Sequence, residues 1–459
     1  MTTETLTEKL LLEPSELVAA LQVSDYVVPK WSDLEKQYDP MLHSIFDTTK
    51  YPAKLDDNNT DDFKRTPLAL QKLATNRISQ SMFATPVERV YSYDNESEQA
   101  NEGVNILEQL YRTTNFIDAE NIERAKQLNS TCQMVTVWSV YEKQLTIGNE
   151  TTPLTLNHNT YSELNGYKLY PILDQNGNML VISIFYTNTS DEDVMEVYTN
   201  GDVKEYRKYV KSDDWVLDEL VSKPLTFFSC VYANRKEPVW GGDAGTALVE
   251  QLEEMESYQG LYIKRNALPT FVLDYGDVTG SPSNATESSS DSRRIITVGK
   301  GGSMADVTWG GSESATNTRY ARIRNAYFEQ IQMPDLSFAN MINSNTSADN
   351  KELIFSDAKA KARDLAGEWE QLFYAEMIIV KEFAKVMFPK YSTTFDSISV
   401  RSVIHPYSVR SKKETAEYIA TASDSMSLQT KIRILSEVDD IAQEVDLINI
   451  ENGAAANQL

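Results

Sequence analysis

Cysteine and histidine are nearly missing from this chain, which has two thiols, Cys132 and Cys230, and three imidazoles, His43, His158 and His405. Two cysteines cannot build a disulfide framework, so a reducing compartment is the expected setting. The histidines are scattered and none has a partner at metal-ligand spacing, so no metal and no cofactor are expected. Long apolar runs are missing too. No stretch approaches the ~18 residues of a membrane helix, and no membrane partner is expected. The opening MTTETLTEKLLLEPSE has acidic residues and a three-leucine run where a secretory signal would carry a basic start and a longer apolar core. Positive charge is scarce, with 43 Lys and Arg against 68 Asp and Glu, a net charge of −25. Such a surface cannot hold nucleic acid by neutralising phosphates over most of its area, so any contact with DNA has to be local or weak.

Enzymatic signatures are also absent. Gly299, Gly301 and Gly302 surround Lys300, but the GxxxxGK[ST] spacing of a phosphate loop is not there, and the segment reads as a turn. Glu253, Glu254 and Glu256 look like an acidic cluster, yet on a helix those positions point in different directions and read as a solvated or channel-facing surface. No catalytic constellation emerges.

What is present is ample core material, 41% hydrophobic residues in 459, with a length prior of about three domains. Residues 1–65 read as acidic and irregular, with DDNNTDD marking an exposed loop. Thr66 followed by Pro67 suggests a helix running to about Phe83. A second helical stretch, roughly Glu98 to Leu128, breaks near Thr113. Short strands follow: MVTVWSVYE, KLYPIL, MLVISIFYT, DVMEVYT, a hairpin at Asn200–Asp202, VKEYRKYV and PLTFFSCVYA. A helical layer followed by an antiparallel sheet is an α+β pattern.

Helical periodicity returns at GGDAGTALVEQLEEMESYQGLYIKRN. Two short β-like runs, LPTFVLDYGD and RRIITVGKGG, then bracket a polar loop from Gly280 to Ser292 that lacks core residues. A helix resumes near Ser312 and stops before Pro334. After the polar stretch PDLSFANMINSNTSADN comes one long helix, Ser356 to Phe388, and two short amphipathic helices near the end, the first capped by Ser427. Two helices flanking a small β module look like struts. The basic positions Arg319, Arg322 and Arg324 on the second strut suit either a DNA phosphate or the matching Glu250, Glu253 and Glu254 of the first strut on a neighbouring copy, and of the two, pairing between copies is the expected use.

Three stretches carry a resemblance to a known family. HPYSVRSKKETAEYIATASDSMSLQTKIRILSEVDDIAQEVDLI matches through Pro406, Ser427, Thr430, Val438, Asp440 and Glu444. ELIFSDAKAKA, Glu352 to Ala362, looks like the start of a long kinked helix, and PLTFFSCVYANRKEPVWGGDAGTALVEQLEEMESYQ like the approach to a first stem helix. Together they resemble the portal proteins of tailed bacteriophages, in particular those of siphophages infecting Gram-positive hosts, over about the last half of the chain. One departure is Asn345, Thr346, Ser347 and Ala348 where the family often has Ser-Gly before the long helix.

The resemblance implies an α+β ring subunit. Its parts would be an acidic N-terminal segment (1–65), a wing of helices and antiparallel sheet (66–241), stem helix 1 (242–266), a β clip (267–311), stem helix 2 (312–333), a tunnel loop (334–350), a long helix (351–395) and a helical crown (396–459). It implies a homo-oligomer, a dodecameric ring at the unique capsid vertex of the virion, assembled in the host cytoplasm, with double-stranded DNA in its channel. The implied partners are the terminase large subunit, the major capsid protein and a head-completion or adaptor protein. Asn340, Asn343, Ser344, Asn345 and Thr346 would face the DNA, and Asp274, Asp277, Arg293, Arg294 and Lys300 would form the clip docking surface. The rivals are a non-catalytic virion adaptor or scaffold, and a nuclease or ATPase of the packaging machine, which would need a carboxylate cluster or phosphate loop that the sequence does not offer.

Overall fold

The computed structural model describes residues 12–26, 28–53, 63–93, 98–210, 212–266, 270–274, 286–290, 293–298, 310–334, 356–406, 412–421, 426–435, 444–445 and 447–448. The chain divides into two compact units, one made of Met1–Met333 with Lys361–Pro406, the other of Pro334–Ala360 with Tyr407–Leu459.

The larger unit begins with α1 (Pro14–Leu21) and α2 (Trp31–Tyr38), followed by short 3-10 turns at Pro40–Leu42 and Ser44–Phe46. This corrects the expectation of an irregular N-terminal segment. A proline opens α1, and Leu17, Val18 and Leu21 recur on one face at i, i+1, i+4, all of them buried. The helix was illegible because it is short and sits in an acidic context; it is held by the sheet beneath it.

That sheet is an antiparallel meander of β4 (Lys168–Leu173), β5 (Met179–Thr187), β6 (Asp193–Thr199), β7 (Asp202–Lys208) and β8 (Trp215–Pro224), hydrogen-bonded in sequence order. It is buried on both faces in its middle. Val181, Met195 and Val197 face α1 together with Ile172 and Tyr206. Ile182, Ile184 and Tyr198, with the opposite parity, meet Val135, Val137 and Cys230. Two-sided burial explains why MLVISIFYT reads as an unbroken apolar run instead of an alternation. The opposing layer is β3 (Glu150–Tyr161), β2 (Gln133–Ile147) and β9 (Cys230–Asn234), with β2 central. The stretch PLTFFSCVYA, expected as one strand, divides instead: Pro224 closes β8 and Cys230 opens β9 on the other sheet. The TTPLTLNHNT run, which carries no clean alternation, forms most of β3 and pairs along nearly all of β2.

The helical layer holds α3 (Leu70–Phe83), β1 (Glu88–Ser92), α4 (Glu98–Glu108) with a π turn at Gln109–Thr113, and α5 (Ile117–Thr131). The break near Thr113 is thus a π turn, closed by Phe116 in the left-handed region at φ 51°. Helix α3 starts later than its Thr66–Pro67 signal. The N–H of Thr66 goes to Ser257 Oγ at 2.9 Å and that of Leu68 to Glu253 Oε1 at 2.7 Å, so the segment before Leu70 is held extended by another helix.

After β9 come α6 (Gly242–Asn266), the strands β10 (Thr270–Asp274), β11 (Thr286–Ser290) and β12 (Arg293–Val298), and α7 (Gly310–Gln330). Strand β12 lies between β10, parallel, and β11, antiparallel. The polar loop expected over Gly280–Ser292 therefore contains a strand, since backbone pairing with β12 does not need apolar side chains. Helix α8 (Ser356–Met387) is the expected long helix, followed by α9 (Ser392–Ser397) and β13 (Ser399–Val403). Strand β13 pairs antiparallel with β1, so residues 399–403 belong to the larger unit and are not part of a purely helical C-terminal region.

The long helix is anchored by Trp369 and Phe373, both fully buried, with Phe83 of α3 edge-on to Trp369 at 4.9 Å. Beside them lies a buried ion pair. Arg124 of α5 bonds to Glu376 of α8, to Thr136 Oγ1 at 2.9 Å and to Asn121 Oδ1 at 2.9 Å. Tyr111 donates to the other Glu376 oxygen at 2.6 Å, and both charged side chains are at most 1% exposed.

The smaller unit contains α10 (Lys412–Thr421) and α11 (Leu428–Leu435), which pack on each other. Ser427 caps α11 as its position suggests, accepting the Thr430 N–H at 3.2 Å. Most of the second short helix expected after it falls outside the described residues.

Candidate functional site

Helices α6 and α7 flank the three-stranded module in the chain, and their roots are built with unusual closeness. Gly241 (φ +82°) and Gly242 (φ +54°) occupy the left-handed region just before α6 continues. At Gly245 any β-carbon would collide with the Trp240 carbonyl and stand 3.6 Å from the Tyr327 ring of α7. Gly241 lies by Gln330 and Gly245 by Tyr327, so the two helices run antiparallel. Counting five residues in opposite directions from the Gly245–Tyr327 level, at 1.5 Å per residue, brings Glu250 level with Arg322. Glu254 lies near the level of Arg319 by the same count.

Lys361 ties the roots together. Its ammonium donates to Ile331 O at 2.9 Å, past the end of α7, and to Val239 O at 3.4 Å, before the start of α6. Burial, with Arg235 nearby, pulls its pKa below the usual lysine value. A cation on the last carbonyls of a helix suits the helix dipole. Gln37 joins the same region, accepting from Trp240 Nε1 at 3.0 Å and donating to Asp243 Oδ1 at 2.8 Å.

The six expected stem residues fall into different roles. Glu253 is fully buried in its own chain, and its Oε1 takes both His43 Nδ1 at 2.6 Å and the Leu68 N–H at 2.7 Å. His43 Nε2 faces the Gln37 carbonyl at 2.9 Å, so both ring nitrogens have a partner inside the chain. This corrects the assignment of Glu253 to a contact between copies: on a helix that meets His43, Thr66 and Leu68, position 253 points inward. Glu250 is only part-exposed and meets Lys50 at 3.1 Å. Glu254 is exposed, as are Arg319 and Arg322, while Arg324 is half-buried with its guanidinium 5.5 Å from the Phe328 ring.

Of the residues expected for a clip, Asp274 ends β10 opposite Val298, and Arg293 and Arg294 open β12 opposite Ser290 and Ser289. Asp277 and Lys300 lie outside the described residues, as do the positions expected for a tunnel loop, Asn340, Asn343, Ser344, Asn345 and Thr346. Among the described residues no cluster of three or more histidine, cysteine or acidic side chains could hold a metal ion, and no helix is long and apolar enough to cross a membrane. Each histidine instead faces a carboxylate. His43 faces Glu253, His405 Nε2 lies 2.6 Å from Glu88, and His158 Nε2 lies 2.9 Å from Glu120. His158 is stacked on Trp138 and held neutral, because burial, aided by Arg124, pulls its pKa down to about 3. Glu120 is half-exposed and out of line for a hydrogen bond, and does not offset that burial.

The family model for phage portal proteins, SPP1 Gp6-like, matches residues 253–458, a little under half of the chain. This supports a siphophage-type portal protein. The matched span runs from the middle of α6 through the strand module, α7, the long helix and the C-terminal helices, the same half that carried the resemblance in the sequence. No curated protein matches the chain. The residues the sequence missed are structural. Lys361 was hidden in the KAKA run, where nothing separates a buried lysine from a solvated one. Gly245 was visible in GGDAG, where a glycine three residues into a helix signals close approach.

Proposed function

We propose that this chain is a subunit of the portal ring at one capsid vertex, through which double-stranded DNA is packaged and later ejected. The observation that carries it is the portal-family match across 253–458, joined to a hairpin of two helices that brackets a small strand module and leads on to a 32-residue helix. In this reading residues 66–241 form the wing against the capsid shell, α6 and α7 the stem, and residues 267–311 the clip. Asp274, Asp277, Arg293, Arg294 and Lys300 of the clip dock the terminase large subunit first and head-completion proteins afterwards. Glu250 and Glu254 meet Arg319 and Arg322 of the adjacent copy in the stem. Residues 334–350 form the tunnel loop. The role is structural, with catalysis left to the docked motor.

The net charge of −25 fits a conduit, since tight pairing with phosphates would act as friction on moving DNA. Asn340, Asn343, Asn345 and Thr346 offer exchangeable hydrogen bonds to phosphate with no lysine or arginine among them. Introducing Asn343→Lys and Asn345→Lys tests this reading, because a ring repeats each added charge around one bore. Rings are expected to assemble normally while DNA packaging slows or stalls, with relief at higher salt. Packaging at the unmodified rate and salt dependence would put this segment outside the channel.

A further inference from the structure

Residues 31–47 and the first turns of α6 enclose a groove of about 720 Å³ that the portal reading leaves unexplained. Its walls carry Asp33, Asp47, Asp243 and Glu250, with Ala247 exposed on α6. Met41 and Leu42, 65% and 48% exposed, are apolar side chains lining the same groove. Two amines, Lys36 in the groove and Lys50 beside Glu250, face the four carboxylates, so two negative charges remain in excess. Asp47 stays ionised, held below the usual carboxylate range by its hydrogen bonds from Thr49. On the neighbouring helix Arg319 and Arg322 are exposed, and neither enters an ion pair among the described residues.

We propose that this groove receives α7 of an adjacent copy of the chain, with Arg322 of that copy seated at Glu250, so that the N-terminal segment 31–50 is part of the ring interface. The inference rests on the portal reading and deepens it. Three observations select a second copy as the occupant. The charges are complementary, in a chain with 43 basic against 68 acidic residues. Glu250 and Arg322 are level along the hairpin, and rotation about a ring axis along the stem preserves height, so the neighbour's Arg322 arrives at the level of Glu250. Finally, α7 offers small residues around those arginines, Ala315, Thr318 and Ala321, all exposed, which allow a close approach of helix to groove.

The test is a charge swap in the full chain, read by native mass across a concentration series with circular dichroism as the fold control. Glu250→Lys and Arg322→Glu should each raise the concentration needed for half-assembly by about 10-fold or more, and the double variant should recover most of that loss. Ala247→Arg, at an exposed position in the groove, should weaken assembly with an unchanged melting temperature. Rings that form at the wild-type concentration in all three single variants would leave the portal reading standing and overturn the groove as the interface. Failure of the double variant to recover would overturn the Glu250–Arg322 pairing itself. A wild-type chain that never leaves the monomer would remove both readings.

Discussion

The interior of the larger unit and the outward faces of its helical hairpin treat charge in opposite ways. Inside, Arg124, Glu376, Glu253 and Arg235 are all buried, and each is matched within the chain by an opposite charge or by hydrogen bonds. Outside, Arg319, Arg322 and Glu254 on α7 and α6 are exposed. Buried pairs fix how α5 meets α8, and how His43 and Leu68 meet α6, because leaving either partner alone in the interior is costly. Exposed charges contribute little to the fold of one copy and remain available for a neighbour. On the proposed reading stability and assembly are carried by different charges, and substitutions can separate them.

The largest effect is expected at the centre of the buried set. Glu376→Ala strands Arg124 and leaves Tyr111 without its acceptor, and should cost roughly 3–5 kcal/mol in a urea denaturation. A loss below about 1 kcal/mol would show that water or a rearranged side chain replaces the carboxylate there. Glu253→Ala should cost about 2–4 kcal/mol, since it removes the acceptor of both His43 and the Leu68 N–H. If Glu253 served a neighbouring copy instead, the same variant would spare subunit stability and weaken assembly.

A smaller effect comes from pH. The folded chain holds His158 neutral with a pKa near 3, against 6.5 for the free side chain. Below 6.5 the unfolded chain therefore binds a proton that the folded chain refuses. The stabilisation is complete above that value and is lost as pH falls toward 3. By pH 5 the loss amounts to about 2 kcal/mol from this residue. His158→Phe keeps the ring against Trp138 and should flatten the pH dependence of the denaturation midpoint. An unchanged slope would mean that Glu120 compensates the charge. At the bottom of the scale, Arg322→Glu should leave the midpoint of the isolated subunit where it is.

The helical hairpin and the long helix were legible because their periodicity, glycine starts and proline stops agree. The spans 242–266 and 356–388 match α6 and α8 almost residue for residue. The N-terminal helices were not legible, because α1 and α2 are eight residues each and depend on tertiary partners. Nor was the pairing of β13 with β1, which joins positions more than 300 residues apart and leaves no local trace. The candidate site was half legible. Sequence placed the acidic and basic positions on helices, but could not tell buried Glu253 from exposed Glu254, since that depends on which face meets His43 and Leu68.

The central claim is that this chain works as one member of a closed ring, and native mass measurement of the purified full chain at micromolar concentration and physiological salt tests it most directly. The account predicts a single closed assembly whose mass is a whole multiple of 51.9 kDa, with a central channel visible by negative-stain imaging. A species that stays at 51.9 kDa under those conditions would contradict it.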